Sequence, residues 1–173
     1  MDYLTKSASR EDMRGLSKLF RHIFEVKDGE KFPVLQALER TPDVFKGTSW
    51  QVIEDYKLPQ NILACCSPDA NGNFTIKIKD SVYSGAVKGI GAYRGFICHE
   101  ICHVFLYKIG YTPIFNMEFE NNKIPPYCSV EWQTKALCGE VMMPFESTKN
   151  LSKEEIIEIY GVSKGFAEKR KKY

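Results

Sequence analysis

The sequence predicts a single α+β domain that is mostly helical and carries one small sheet. Three observations predict it. Most apolar residues recur at helical spacing, one stretch alternates strictly, and no repeat, low-complexity tract or Pro/Gly-rich linker divides the chain. With 173 residues and 43% hydrophobic content, residues 1–173 suffice for one domain with its own core.

The elements follow in order. Met13, Leu16, Leu19, Phe20 and Ile23 lie on one face of a helix over residues 9–24. A second, shorter helix covers 34–40. Extended segments at 50–56 and 61–66 are separated by the Leu58-Pro59 turn. The turn pair Asn71-Gly72 leads into the clearest strand, 74–79, with Phe74, Ile76 and Ile78 on one side and Thr75, Lys77 and Lys79 on the other. Residues 85–95 are glycine-rich and precede a helix over 92–109, closed by Gly110. Beyond a loop with Pro125-Pro126, a helix runs from 129 to 143 and stops at Pro144. A helix pair within 152–172, broken at Gly161, completes the domain.

The charge balance, 24 basic against 22 acidic residues for a net +2, gives no reason to expect a membrane surface and argues against direct nucleic-acid binding. The basic tail Lys169-Arg170-Lys171-Lys172 reads as a solvated helix end. If instead the last helix pair bound DNA, it would do so as a helix-turn-helix with strong salt dependence. No apolar run approaches the ~20 residues of a membrane span. The polar N-terminus is not a signal peptide. A cytoplasmic protein is therefore expected, its six cysteines held as thiols. No C-x-x-C pair is present, against a thiolate zinc knuckle.

The chemistry concentrates in His99-Glu100-Ile101-Cys102-His103. Two histidines four residues apart on a helix stand about 40° apart on the wheel, so both imidazoles can reach one metal ion. Glu100 falls about 100° round, where a base for a metal-bound water belongs. Ile97, Ile101, Val104 and Phe105 gather on the opposite side and would bury the back of the helix. Catalytic zinc usually takes three protein ligands and a water. His22 sits on the first helix, so the third ligand should be a downstream carboxylate or thiolate. Glu131 and Glu140 share one helix but point about 180° apart. Glu140 shares a side with Gln133 that looks solvated; Glu131 lies with Cys138 and Met142 and is preferred on geometry by a narrow margin. Its alternative role is an ion pair with Lys135 four residues on. Cys98 and Cys102, turned about 100° from the histidines, read as small buried thiols.

These residues resemble an ImmA/IrrE-type zinc metallopeptidase domain. The resemblance runs through Val82-Tyr83-Ser84-Gly85-Ala86 and Tyr93-Arg94-Gly95-Phe96 into the histidine motif. It continues in Glu131-Trp132-Gln133 and Ala136-Leu137-Cys138-Gly139-Glu140-Val141-Met142-Met143-Pro144, then in Tyr160-Gly161-Val162-Ser163 and Arg170. It implies a zincin-like, thermolysin-like minimal fold in which His99, His103 and Glu131 hold one zinc ion and Glu100 is the catalytic base. It also implies a helix-turn-helix transcriptional repressor as substrate, cleaved to relieve repression in a mobile-element, phage or stress-response circuit. The chain departs from the family at Cys102, where glycine is usual, and at Tyr107, where a histidine commonly ends the motif. Thr134-Lys135 replaces a frequent Ala-Asn pair. Lysine offers no acceptor to a ligand histidine, so another carbonyl or carboxylate is expected to support the site.

The expected reaction is metal-assisted peptide hydrolysis, with one further donor to the scissile carbonyl drawn from Arg94, Tyr93, Tyr107 or Tyr127. The 74–79 strand is either a cleft rim that takes substrate as an added strand or an ordinary interior strand. The competing expectation, resting on Lys135, is a non-catalytic regulator that sequesters a repressor.

Overall fold

Strand β3 (Phe74–Lys79) is the centre of a three-stranded sheet in order β1-β3-β2. The computed structural model describes residues 2–114 and 124–173; residues 115–123, inside the loop expected before the 129–143 helix, lie outside the described residues. Strand β1 (Thr48–Ile53) runs parallel to β3, with Trp50 opposite Ile76. Strand β2 is only Ala64–Cys65, antiparallel to β3, with Cys65 opposite Lys77. The interior alternative for 74–79 is therefore the right one. Its edges are occupied by β1 and β2, and the rim position falls to β2.

The alternation of β3 works as its side-chain period dictates: Phe74, Ile76 and Ile78 are buried, Thr75 and Lys77 exposed. Lys79 breaks the pattern. It is buried because its ammonium donates to the Pro59 carbonyl at 2.8 Å and to that of Gln60, two acceptors that replace its water.

Eight α-helices accompany the sheet among the described residues, with the second, third and fourth packed on its strands, and an α+β, mostly helical structure is what the chain forms. Helix α1 (Arg10–Ile23) starts at a capping box in which Ser9 and Asp12 satisfy each other's backbone N–H groups. Helix α2 (Val34–Val44) runs past the expected end at residue 40 and carries Pro42 in its last turn. Helix α3 (Asp80–Val87) occupies part of the stretch read as a glycine-rich approach. Gly85 is needed there for contact rather than for a turn: the Tyr93 ring lies where a Cβ would stand. Helix α4 (Gly91–Lys108) carries the histidine motif, and α5 (Val130–Met142) follows the undescribed segment. Pro144 ends α5, but the chain turns at once into α6 (Phe145–Thr148), which the sequence reading left out. Helices α7 (Lys153–Tyr160) and α8 (Lys164–Arg170) meet at Gly161, whose φ of +61° supplies the left-handed cap.

The core lies between α4 and its neighbours. Ile97, Ile101, Val104 and Phe105 are fully buried, as the wheel predicts. Phe20 of α1 meets Phe105 edge-on at 5.2 Å and Phe24 at 5.0 Å, and this aromatic group closes the back of α4. Helix α5 is clamped between α4 and α1.

That clamp overturns one expectation. Gln133 and Glu140 do not form a solvated stripe: they are 0% and 1% exposed. Helix α1 covers this face. The Gln133 amide donates to the carbonyls of Lys6 and Tyr127. Glu140 pairs with Arg170 at 2.8 Å, Arg14 at 3.4 Å and Arg10 at 3.8 Å. Arg170, assigned by the sequence to a solvated tail, is itself buried. Removing one partner of a buried pair strands the other charge. Glu140→Gln is expected to destabilise the fold by about 3 kcal/mol or more in denaturant unfolding, an effect that a merely solvated carboxylate would not produce.

Candidate metal centre

Helix α4 presents two donor residues one turn apart on its open face, and α5 brings a third to meet them. The His99 and His103 rings stand edge to face, their Nε2 atoms 3.0 Å apart. Glu131, in the first turn of α5, places Oε1 at 3.2 Å from His103 Nε2 and Oε2 at 3.5 Å from His99 Nε2. Two ligands about 2.0–2.1 Å from one tetrahedral ion lie roughly 3.3–3.4 Å apart. The His99–His103 separation of 3.0 Å, and the 3.2 and 3.5 Å to the two Glu131 oxygens, are close to that value, so these three residues form a candidate metal-binding group.

Glu131 is held in place from an unexpected direction. The N-terminal segment runs beside the start of α5, with Thr5 N–H donating to the Cys128 carbonyl and Val130 N–H to that of Tyr3. Asp2 accepts from the Ser129 hydroxyl at 2.6 Å and from the Glu131 N–H at 3.1 Å, and Ser129 in turn accepts from the Trp132 N–H. A carboxylate and a serine together satisfy the first N–H groups of α5, which fixes where that turn begins. Asp2 and Ser129 were absent from the sequence reading of the site. The capping pattern at Ser129 was visible, but the reach of Asp2 was not.

The electrostatics of the trio are those of a cation site. Hydrogen bonds to His103 and then His99 hold the Glu131 carboxyl far below the usual carboxylate range. Burial pulls the His99 imidazole down, but its bond to Glu131 and the charge of Glu100 outweigh burial and leave it raised.

One hydroxyl stands behind His103. Thr134 Oγ1 donates to the Val130 carbonyl at 2.8 Å and lies 3.1 Å from His103 Nδ1, where it can accept an Nδ1–H. That bond serves both the protonated ring, whose Nε2–H meets Glu131, and the Nδ1–H tautomer, which frees Nε2 for an ion. The support expected from another carbonyl or carboxylate comes instead from the threonine beside Lys135. Lys135 reaches Glu131 Oε2 at 3.6 Å from an exposed position, the ion pair considered as its alternative role.

The site opens into a cleft of about 640 Å³. Glu100 lines it beside the histidines, although its residue is only 7% exposed. Cys66, which the sequence did not flag, donates its thiol to the Glu100 backbone carbonyl at 3.6 Å; burial and the Glu100 charge push this thiol well up, so it stays protonated. Residues 61–68, including β2, form one wall. Of the four residues considered as donors to the scissile carbonyl, only Tyr107 lines the cleft, with Tyr3 and Tyr111 as further hydroxyls. Tyr93 packs on Gly85, Arg94 lies near Gly161, and Tyr127 lies outside the cleft lining. His22 is exposed at the end of α1 and takes no part in the trio.

Thr134→Val should weaken metal binding by about 10–100-fold while Thr134→Ser retains it, measured by competition with a chromophoric chelator. Lys135→Ala should leave that affinity nearly unchanged and alter stability by less than about 1 kcal/mol, since its ion pair is exposed. No protein-family model and no curated protein sequence matches this chain.

Proposed function

We propose that this protein is a zinc-dependent endopeptidase of the ImmA/IrrE type with a zincin-like fold, and that it cleaves a protein substrate in the 640 Å³ cleft. The observation that carries the reading is the convergence of His99, His103 and Glu131 at tetrahedral spacing, with the Glu100 carboxylate on the same helix and in the same cleft. Zinc held there would lower the pKa of a water toward ~7 and polarise the scissile carbonyl.

The chain's own residues account for the remaining work. His99, His103 and Glu131 are the ligands, and the Thr134 hydroxyl can accept the His103 Nδ1–H. Glu100 takes the proton of the attacking water and returns it to the departing amine. Its near-complete burial keeps bulk water away and strengthens its interaction with a charged neighbour. Tyr107, Tyr3 and Tyr111 line the cleft and are the candidates for a hydroxyl donor to the scissile carbonyl.

Substrate enters as an extended segment along β2. Among the described residues this strand pairs with β3 on one side only, and Ala64 and Cys65 also line the cleft. Its other edge leaves backbone N–H and C=O groups for one more strand. Such a substrate must expose an unfolded or loosely held stretch. A helix-turn-helix repressor is the substrate that the family resemblance implies. All six cysteines are thiols and no helix among the described residues is long and apolar enough to cross a membrane, which supports action in the reducing cytoplasm. Thr134 offers His103 an acceptor where Lys135 has none, which favours the hydrolytic reading over a non-catalytic regulator.

Purified protein should carry one zinc ion by elemental analysis. Glu100→Gln should keep that ion and lower cleavage of a co-expressed repressor by about 10²–10⁴-fold. Undiminished cleavage by Glu100→Gln, or wild-type protein that relieves repression without cutting anything, would reject the hydrolytic reading.

A further inference from the structure

Behind the histidines, the same two helices gather a second set of donors. Cys98 and Cys102 lie one turn apart on α4, as His99 and His103 do, and Cys138 lies seven residues, almost two turns, beyond Glu131 on α5. The three sulfurs all lie within 4.8 Å of one another. Three sulfurs about 2.3 Å from a common ion in one plane lie roughly 4.0 Å apart, so the cluster is already near the size of a three-thiolate site. All three are buried at 0–1% exposure, and among the described residues the group gathers three donors and no fourth. Ordinary packing requires small apolar volume here. It does not require that every residue at the point of convergence carry sulfur.

A buried cation lies close by. Arg21 is 1% exposed and donates to the carbonyls of Val141, Lys27 and Glu30, while its Nε has no hydrogen-bond partner among the described residues. Asp28 is the first negative group acting on its charge, and Cys98 is a lesser one.

We infer that Cys98, Cys102 and Cys138 form a second metal site, built to hold one soft divalent ion on three thiolates between α4 and α5. Thiolates select soft ions, and the absence of a fourth donor disfavours zinc, which in closed protein sites takes four. On binding, three S–H bonds break, three metal–sulfur bonds form and three protons leave to water. An ion there ties α4 to α5 beneath the histidine site. The inference does not depend on the proposed peptidase activity.

Cadmium is the probe, because its NMR shift moves strongly downfield as thiolates replace nitrogen and oxygen ligands. Protein produced in cadmium-supplemented medium meets the ion before the core closes. It should show one resonance of three-thiolate type, lost in Cys138→Ala and in Cys102→Ala and kept in His103→Ala. The His99–His103–Glu131 group would give a separate upfield resonance, lost in His103→Ala alone, so failure of either site is visible by itself. If the alanine variants do not fold, wild-type protein decides. Alkylation of the partly exposed Cys65 and Cys128 should leave the thiolate resonance intact. A spectrum with only nitrogen–oxygen signals, or a thiolate signal abolished by that alkylation, would overturn the inference.

Discussion

The packing of α5 against α4 is the contact on which everything else in this molecule depends. Helix α4 by itself offers two imidazoles and two thiols on adjacent stripes, two of the three donors in each set. The third members, Glu131 and Cys138, arrive only because α5 crosses α4 in one register. The tolerance is small. The donor separations at the histidine site span 3.0–3.5 Å, and a slide of one residue along α5 would move Glu131 by about 1.5 Å and rotate it by about 100°.

Several unrelated forces hold that register. On the far face of α5, Glu140 meets three arginines from both ends of the chain, and Gln133 is pinned by two carbonyls. At its start, Asp2 and Ser129 fix the first turn. Behind α4, the Phe20, Phe24 and Phe105 rings fill the core. A dispersed set of anchors suits a site in which lone pairs converge. Two imidazole nitrogens and a carboxylate aimed at one point repel one another until a cation or proton sits among them, so the scaffold must hold them there. Thr134 adds a contact from behind, its hydroxyl oxygen 3.1 Å from His103 Nδ1.

Legibility from sequence followed the range of the interaction involved. The histidine pair, its carboxylate neighbour and the buried back of α4 were readable because i,i+4 geometry belongs to a single helix. Strand β3 was readable because its period belongs to a single strand. Glu131 could be separated from Glu140 by angle alone, yet for a partly wrong reason: Glu140 was taken as solvated, whereas arginines that bury it come from α1 and α8. Thr134 was passed over because a threonine inside a helix commonly bonds its own backbone. It does so here, and its remaining lone pairs are what His103 uses. The short strand β2 has too few residues to show a period, and α3 hid among glycines needed for close packing.

The sequence by itself determined which residues could carry chemistry and on which face of their own element they stand, since backbone geometry alone sets both. Tertiary structure decided which faces meet. It brought Glu131 to the histidines, made β2 rather than β3 the open edge beside the cleft, and buried Glu140 among arginines. It also joined Cys138 to Cys98 and Cys102. Each of these depends on contacts between elements far apart in the chain, where burial and charge balance are properties of the partner as much as of the residue.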